Sequence, residues 1–181
     1  MVTQEFLHES LLRDITPLKG RIVTMAGCGA LGSWTADILA RAGCDNFRLI
    51  DKDRVEMHNI RPQLHPREML GTTKVRSLAV HLYRLYAARA ETHATLLEAS
   101  NAAALLRGSG LVVCTFDNRR GKEAVRDACL KSGIPCVFAG MNGEHWYGEV
   151  AFAADYEIPE DPPHQIYDPC NYPLSVTLVT L

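Results

Sequence analysis

No apolar run in this 181-residue chain approaches the roughly 20 residues that a bilayer span requires. The opening stretch, MVTQEFLHESLLRD, puts acids and polar groups where a secretory leader has a basic end and an apolar core. An excess of one charge is missing as well: 19 Lys and Arg face 21 Asp and Glu, for a formal net charge of −2. That balance argues against a generic nucleic-acid binder or a polybasic membrane binder. The expectation is a soluble, cytoplasmic-type chain. Cys-x-x-Cys pairs are also lacking, although there are six cysteines, and Cys114 and Cys136 fall inside apolar strand-like runs. Buried reduced thiols are the better reading than disulfides. Neither internal repeats nor low-complexity tracts occur, and the length suits one domain, since a chain of roughly 150 residues buries about 70% of its unfolded surface.

What is present alternates. Arg21 to Ala26 reads as a strand, and Gly27-Cys28-Gly29-Ala30-Leu31-Gly32 follows it. A helix is expected over Ser33 to Ala42, with Trp34, Ile38 and Leu39 on one face, and a second strand over Asn46 to Ile50. Strand, glycine turn, helix and strand make a right-handed βαβ unit. Further on, helices are expected at Lys74 to Ala88, Ala99 to Arg107 and Arg120 to Ser132, the last with Ala124, Ala128 and Leu130 inward. Strands are expected at Glu91 to Leu96, Leu111 to Phe116, Pro135 to Ala139 and Gly148 to Ala153. The fold class is therefore α/β: a Rossmann-like doubly wound sheet, parallel at its start, with antiparallel strands later. Residues 1–181 form a single domain in this reading, with an N-terminal helical segment at 1–20 and a surface crossover loop at 155–173. Pro173 to Leu181 is apolar and ends abruptly, as an element that is cut short or covered by a partner would.

Gly-x-Gly-x-x-Gly between a strand and a helix lets the backbone approach phosphates at the partly positive helix start. Taken alone, it is equally a tight turn that packs helix on strand. Asp51, at the end of the second strand, stands where a carboxylate can accept hydrogen bonds from ribose hydroxyls. Up to this point an NAD-dependent oxidoreductase and an ATP user fit equally well. Then Asp51, Asp53 and Glu56 crowd into six residues, with Asn59 close behind and Lys74 opening the next helix. Nucleotidyl transfer needs fixed cations and a metal to offset charge on phosphate oxygens, and hydride transfer does not. Asp117 follows a strand directly, at the sheet edge where open α/β folds bind ligands, and could hold magnesium; it could equally cap the next helix.

At these residues the sequence resembles the ThiF/MoeB family of ubiquitin-activating-enzyme-like adenylyltransferases. The matching stretches are GCGALG (27–32), LIDKDRVE (49–56), NIRPQ (59–63), GTTK (71–74), TFDN (115–118) and GIPCVFAGMNGEHWYG (133–148), in the family's order and at about its spacing. The resemblance implies an enzyme that binds ATP and Mg2+ and adenylates the C-terminal carboxylate of a small ubiquitin-like or sulfur-carrier protein, releasing pyrophosphate. It implies that Gly27, Gly29, Ala30, Leu31 and Gly32 cradle the nucleotide and that Asp51 holds the ribose, with Asp53 and Asn118 also against the nucleotide. Asn59, Gln63 and Lys74 would meet the phosphates, and Asp117 the magnesium. The family reads Asn-x-x-Arg-Gln, whereas Pro62 stands at the arginine position here, so Arg61 becomes the candidate guanidinium. Arg13 is the candidate for an arginine that relatives supply from the N-terminal segment, often to the neighbouring subunit. Cys170 lacks the two Cys-x-x-Cys pairs of zinc-binding members, so no zinc is expected; an acceptor-thiol role for it is the weaker alternative. A homodimer is expected because relatives dimerise. Trp146 and Tyr147 are candidates for contact with the partner's tail, and His58, His65 and His81 read as non-catalytic loop or surface residues. Two rivals stay open: an NAD-dependent oxidoreductase, and an inactive subunit that pairs with an active relative, the latter motivated by the Arg61-Pro62 order.

Overall fold

The computed structural model describes residues 6, 14, 18–142, 147–152 and 156–160. Ten elements follow one another: β1 (Val23–Ala26), α1 (Ala30–Arg41), β2 (Asn46–Ile50), α2 (Lys74–Tyr86), β3 (Arg89–His93), α3 (Ala102–Leu105), β4 (Leu111–Cys114), α4 (Arg119–Ser132), β5 (Cys136–Asn142) and β6 (Tyr147–Ala151). The strands form one sheet in the order β3-β2-β1-β4-β5-β6. All neighbours are parallel except β5 and β6. This is the doubly wound sheet expected from the alternation. The chain builds outward from β1 in one direction and then restarts at β4 on the other side. The ends of β1 and β4 therefore carry loops that diverge, which opens a crevice between them.

Each face of the sheet is buried under helices, so the central strands are apolar on both sides. Val23, Met25, Phe47 and Leu49 meet Ala36, Leu78 and Leu82 from α1 and α2. Ala26, Ile50, Val112 and Cys114 point the other way, as strand alternation requires, and meet Leu106, Val125 and Cys129 from the α3 and α4 side.

Two helix faces differ from expectation. In α1 the buried residues are Ala30, Gly32, Ser33, Ala36, Asp37 and Ala40, whereas Ile38 is 43% exposed. The helix starts three residues earlier than its apolar pattern suggests, and it presents small residues that let it lie close to the sheet and to α2. Trp34 turns instead to the following loop, where its Nε1 donates to the Pro62 carbonyl at 3.1 Å. In α4 the inward set is Gly121, Ala124, Val125 and Cys129, and Leu130 is 51% exposed. Leu130 stands roughly 100° around the helix from Cys129, just before Gly133 ends the helix in the left-handed region at φ 64. Boundaries elsewhere shift by a few residues: Ala87 (φ 53) closes α2 early, so β3 begins at Arg89, and α3 is a single short turn.

The five cysteines among the described residues are free and buried. Burial pushes the Cys114 and Cys129 thiols up to about 12, which keeps them protonated and inert. Cys170 and the segment 173–181 lie outside the described residues.

Candidate active site

The glycine turn after β1 is shaped by its neighbours. Gly27 has φ 108, and a Cβ there would stand 2.5 Å from Thr115 Oγ1. At Gly32 a Cβ would overlap the Gly27 carbonyl and come within 2.7 Å of the same hydroxyl. Thr115 also donates from Oγ1 to the Gly27 carbonyl at 3.2 Å, tying the end of β4 to the turn. Gly29 is different: the nearest atom to a Cβ there is Gln63 Nε2 at 4.0 Å. The first two of these glycines serve packing, and the third faces open space. Gly29 caps α1 without a side-chain hydrogen bond, and the first turn of α1 holds no acid. The N–H groups at that helix start are thus presented to the space in front of them.

That space is a cleft open to solvent. Gly27, Gly29, Ala30 and Leu31 form its floor, Asp51, Asp53, Asn59, Gln63 and Lys74 one wall, and Asp117 and Asn118 the far side. Asp51 is buried and braces the turn: Oδ2 accepts from Cys28 N and Oδ1 from Asp53 N, both at 2.8 Å. Burial pushes its carboxyl above the ordinary aspartate value, and nearby Lys74 pulls in the other direction. Lys74 opens α2, with its backbone N on the Asp53 carbonyl at 2.9 Å and Nζ on Asp53 Oδ2 at 3.1 Å. Burial works against its charge, yet Asp51 and Asp53 outweigh burial and hold the ammonium above the usual lysine value. Asn59 spends its Oδ1 on Glu56 N at 2.9 Å, so it offers the cleft its amide N–H groups. Gln63 is 5% exposed, and its Oε1 has no hydrogen-bond partner among the described residues. A buried orphan of this kind costs free energy until something pairs with it.

A model of the ThiF family matches residues 7–165 of this chain. The chain belongs to the ThiF family. Among relatives in that family, the adenylyltransferase and sulfurtransferase MOCS3 of Mus musculus is 36% identical over 138 residues, which is 75% of this chain and 30% of that protein. MOCS3 of Drosophila grimshawi is 35% identical over 122 residues, 66% of this chain and 27% of that protein. The chain thus spans about a third or less of the length of these curated relatives. Among solved structures, the E. coli tRNA N6-threonylcarbamoyladenosine dehydratase TcdA superposes with a TM-score of 0.71 at 27% identity, over 75% of this chain and 59% of that one. TcdA has also been solved with AMP and with ATP. E. coli MccB shares the fold, with a TM-score of 0.65 at 22% identity over 70% of this chain and 39% of its own.

Against the ThiF family pattern, one described candidate residue stands apart. Arg61 is exposed and does not line the cleft, whereas Pro62 beside it is buried and its carbonyl accepts from Trp34 Nε1. Arg13 lies outside the described residues, as do Trp146 and the side chain of Tyr147. Asp117 does not cap α4. Asn118 does, accepting from Gly121 N at 2.8 Å, while its Nδ2 donates to Asp117 Oδ1 at 3.2 Å. Asp117 remains exposed at the rim. Among the described residues no group of three or more His, Cys, Asp or Glu could hold a metal ion by itself. A single exposed carboxylate fits Mg2+, which commonly takes one or two carboxylates and completes its octahedron with phosphates and water.

Sequence reasoning passed over Lys52, Phe116 and the stretch Thr95–Leu97, all of which line the cleft, and His58, read there as a non-catalytic loop or surface residue, lines it as well. Residues 95–97 carry no local signal; they arrive because β3 pairs with β2. His65 is a correction: it is 2% exposed, not a surface histidine. Its Nε2 lies 2.9 Å from the Cys28 carbonyl and its Nδ1 3.0 Å from Ser77 Oγ. A carbonyl only accepts, so Nε2 carries the hydrogen and Nδ1 accepts from the serine. His81 is likewise engaged, with Nε2 on the buried Asp37 at 2.8 Å, where Tyr86 also donates at 2.6 Å.

Proposed function

We propose that this chain is an ATP-dependent adenylyltransferase that activates the C-terminal carboxylate of a small ubiquitin-like or sulfur-carrier protein. One observation carries the reading: the open helix start at Gly29, the Lys74 ammonium and the Asp117 carboxylate face one cleft at the sheet's switch point. A hydride-transfer enzyme needs neither of those two charges, which argues against the oxidoreductase alternative. The names of the MOCS3 relatives and the AMP and ATP complexes of TcdA support the same reading.

In this proposal the α1 N–H groups and Lys74 hold the triphosphate, and Asp51 accepts from the ribose through its remaining lone pairs. Gly29 matters because its missing Cβ leaves the phosphates room to approach the backbone. Asp117 would hold Mg2+, which supplies charge neutralisation on the phosphate oxygens when bound. An oxygen of the acceptor's carboxylate attacks the α-phosphorus, the bond to the bridging oxygen breaks, and pyrophosphate leaves with that electron pair. No side chain has to act as nucleophile or proton carrier. Positioning and fixed charge supply the acceleration.

The displacement of Arg61 from the cleft favours one second reading, a subunit without activity of its own that pairs with an active ThiF relative. ATP–pyrophosphate exchange separates the two. Exchange that depends on a carboxylate-ended partner supports the enzyme, and its absence in a chain that still binds ATP supports the inactive subunit. A homodimer and a cytoplasmic location belong to the same proposal, and sedimentation tests the first of these.

A further inference from the structure

Positive charge is short in the cleft. Lys74 is buried, and its Nζ is already on Asp53 Oδ2 at 3.1 Å. Lys52 is the other permanent cation on the lining among the described residues, and Asp51, Asp53 and Asp117 stand against the two. Arg61 is exposed and outside the lining. Magnesium at Asp117 would offset that carboxylate and part of a triphosphate. The rest of the phosphate charge would fall to Lys52 and to a lysine that Asp53 already holds.

His58 lies where a further cation is wanted. It lines the cleft beside Asn59, whose amide N–H groups face the same space. The turn that carries it, Met57–Asn59, is fastened at both ends: Asn59 Oδ1 accepts from Glu56 N at 2.9 Å, and the Glu56 carboxylate accepts from Asn59 N. Glu56 is thereby held with Oε2 3.5 Å from His58 Nδ1. That is long for a hydrogen bond, yet close enough for the carboxylate to favour the ring hydrogen on Nδ1. In the neutral ring Nε2 then carries a bare lone pair. Ionised phosphate oxygens only accept, so neutral His58 offers them nothing. A proton on Nε2 turns the ring into both a cation and a donor, and histidine is the side chain for which that change is accessible near neutral pH. Glu56, Asp51, Asp53 and Asp117 favour the charged ring, and Lys52 and Lys74 oppose it. An arriving triphosphate adds its own negative charge to the first set.

We propose that ATP binding draws a proton from solvent onto His58 Nε2, and that the imidazolium so formed holds the outer phosphates in the absence of Arg61. This rests on the adenylyltransferase reading for the place of the triphosphate, and it adds a regulation to that site. Because binding takes up a proton, affinity for ATP rises as pH falls through the neutral range. His58 binds and orients, and its proton returns to solvent when pyrophosphate leaves.

The test is calorimetry of ATP with Mg2+ on the full chain, without acceptor, at pH 7.5 in buffers of different ionisation enthalpy. The dependence of the heat on the buffer counts protons. Uptake of about half a proton or more per ATP is expected in the native chain, and none of it in His58→Asn or His58→Lys. His58→Asn should weaken ATP by about tenfold at pH 6.5 and by much less at pH 8.5. His58→Lys, whose charge is permanent, should bind ATP well at both. Adenosine should bind the native and His58→Asn chains alike. Titration of the phosphates themselves is common to all three chains and cancels in the comparison. His65, which burial pushes down to about 4, does not titrate in this range. The same uptake in His58→Asn, no uptake in the native chain, or an equal loss of adenosine and ATP binding would overturn the proposal. ATP–pyrophosphate exchange is read separately. A chain that exchanges without uptake at His58 loses only this inference, whereas one with the uptake and no exchange loses the adenylyltransferase reading and keeps the phosphate contact. A chain that binds no ATP loses both.

Discussion

At the scale of single residues, the glycine turn separates two kinds of requirement that look identical in sequence. Gly32 is held by packing, because an added Cβ would run into the Gly27 carbonyl and Thr115. Gly32→Ala is expected to destabilise the fold by about 1–3 kcal/mol or more, measured by urea unfolding. Gly29→Ala should change stability by no more than about 0.5 kcal/mol, since its nearest neighbour is 4.0 Å away. It should nevertheless abolish or sharply weaken ATP binding by calorimetry, because the methyl fills the place a phosphate would take. A Gly29→Ala chain that binds ATP normally would remove the ground for putting the triphosphate there. Lys74→Met bears on the chemistry itself. Loss of one preorganised charge should lower ATP–pyrophosphate exchange by about 10²–10³-fold. The residues that sequence made legible here are tied to strand ends by short, fixed spacing: Asp51 closes β2, Lys74 opens α2 and Asp117 follows β4. Lys52, between Asp51 and Asp53, carries no reading of its own in the sequence, because nothing local tells which side of an extended stretch faces the crevice.

At the scale of elements, α4 offers a division of labour between adjacent residues. Asn118 caps the helix through Gly121 N, and Asp117, which accepts from Asn118 Nδ2, stays exposed beside it. Asn118→Ala should cost about 1 kcal/mol of stability, the usual value of an N-cap, in thermal or urea unfolding. Asp117→Asn should leave stability nearly unchanged and lower Mg-dependent exchange. A large stability loss in Asp117→Asn would mean that the carboxylate has a structural duty at this sheet edge. The helices also show what periodicity conveys and what it hides. It located α1, α2 and α4, and on α2 it picked Val75, Leu78, Leu82 and Leu85, of which the first three are buried and Leu85 is 56% exposed. For α1 it pointed to Trp34, Ile38 and Leu39; Leu39 does pack against the core, but the buried face is built mostly from Ala, Gly and Ser, and Ile38 is exposed. Small residues carry little hydrophobic signal, so a face built from them cannot be read from apolar spacing alone.

At the scale of the molecule, the cleft exists because three stretches far apart in sequence are held in register, and His65 is the joint. It links the carbonyl of Cys28 in the glycine turn to Ser77, one turn beyond Lys74 on α2. Ser33 and Trp34 on α1 fasten the same loop at Leu64 N and the Pro62 carbonyl. A histidine in a His-Pro loop reads as surface; only the assembled fold shows that the loop is clamped under α1. Burial is the main reason that the His65 imidazole is pushed down from 6.5 to about 4. Between those values the unfolded chain takes a proton that the folded chain refuses. The stabilisation is therefore complete above the unfolded value and drains away as pH falls toward the folded one. The sign for Asp51 is opposite, since its raised value lets the fold gain as pH drops, and the raised value of Lys74 matters only at high pH. From His65 alone, stability should fall by about 2 kcal/mol between pH 7 and pH 5. Urea unfolding of the native chain and of His65→Gln at both pH values isolates this contribution, because the carboxylates are common to the two. The variant, which cannot be protonated at that position, should be less stable at pH 7 and show a pH dependence smaller by that amount. Parallel losses in both chains would place the acid sensitivity elsewhere and leave His65 as an ordinary packed side chain.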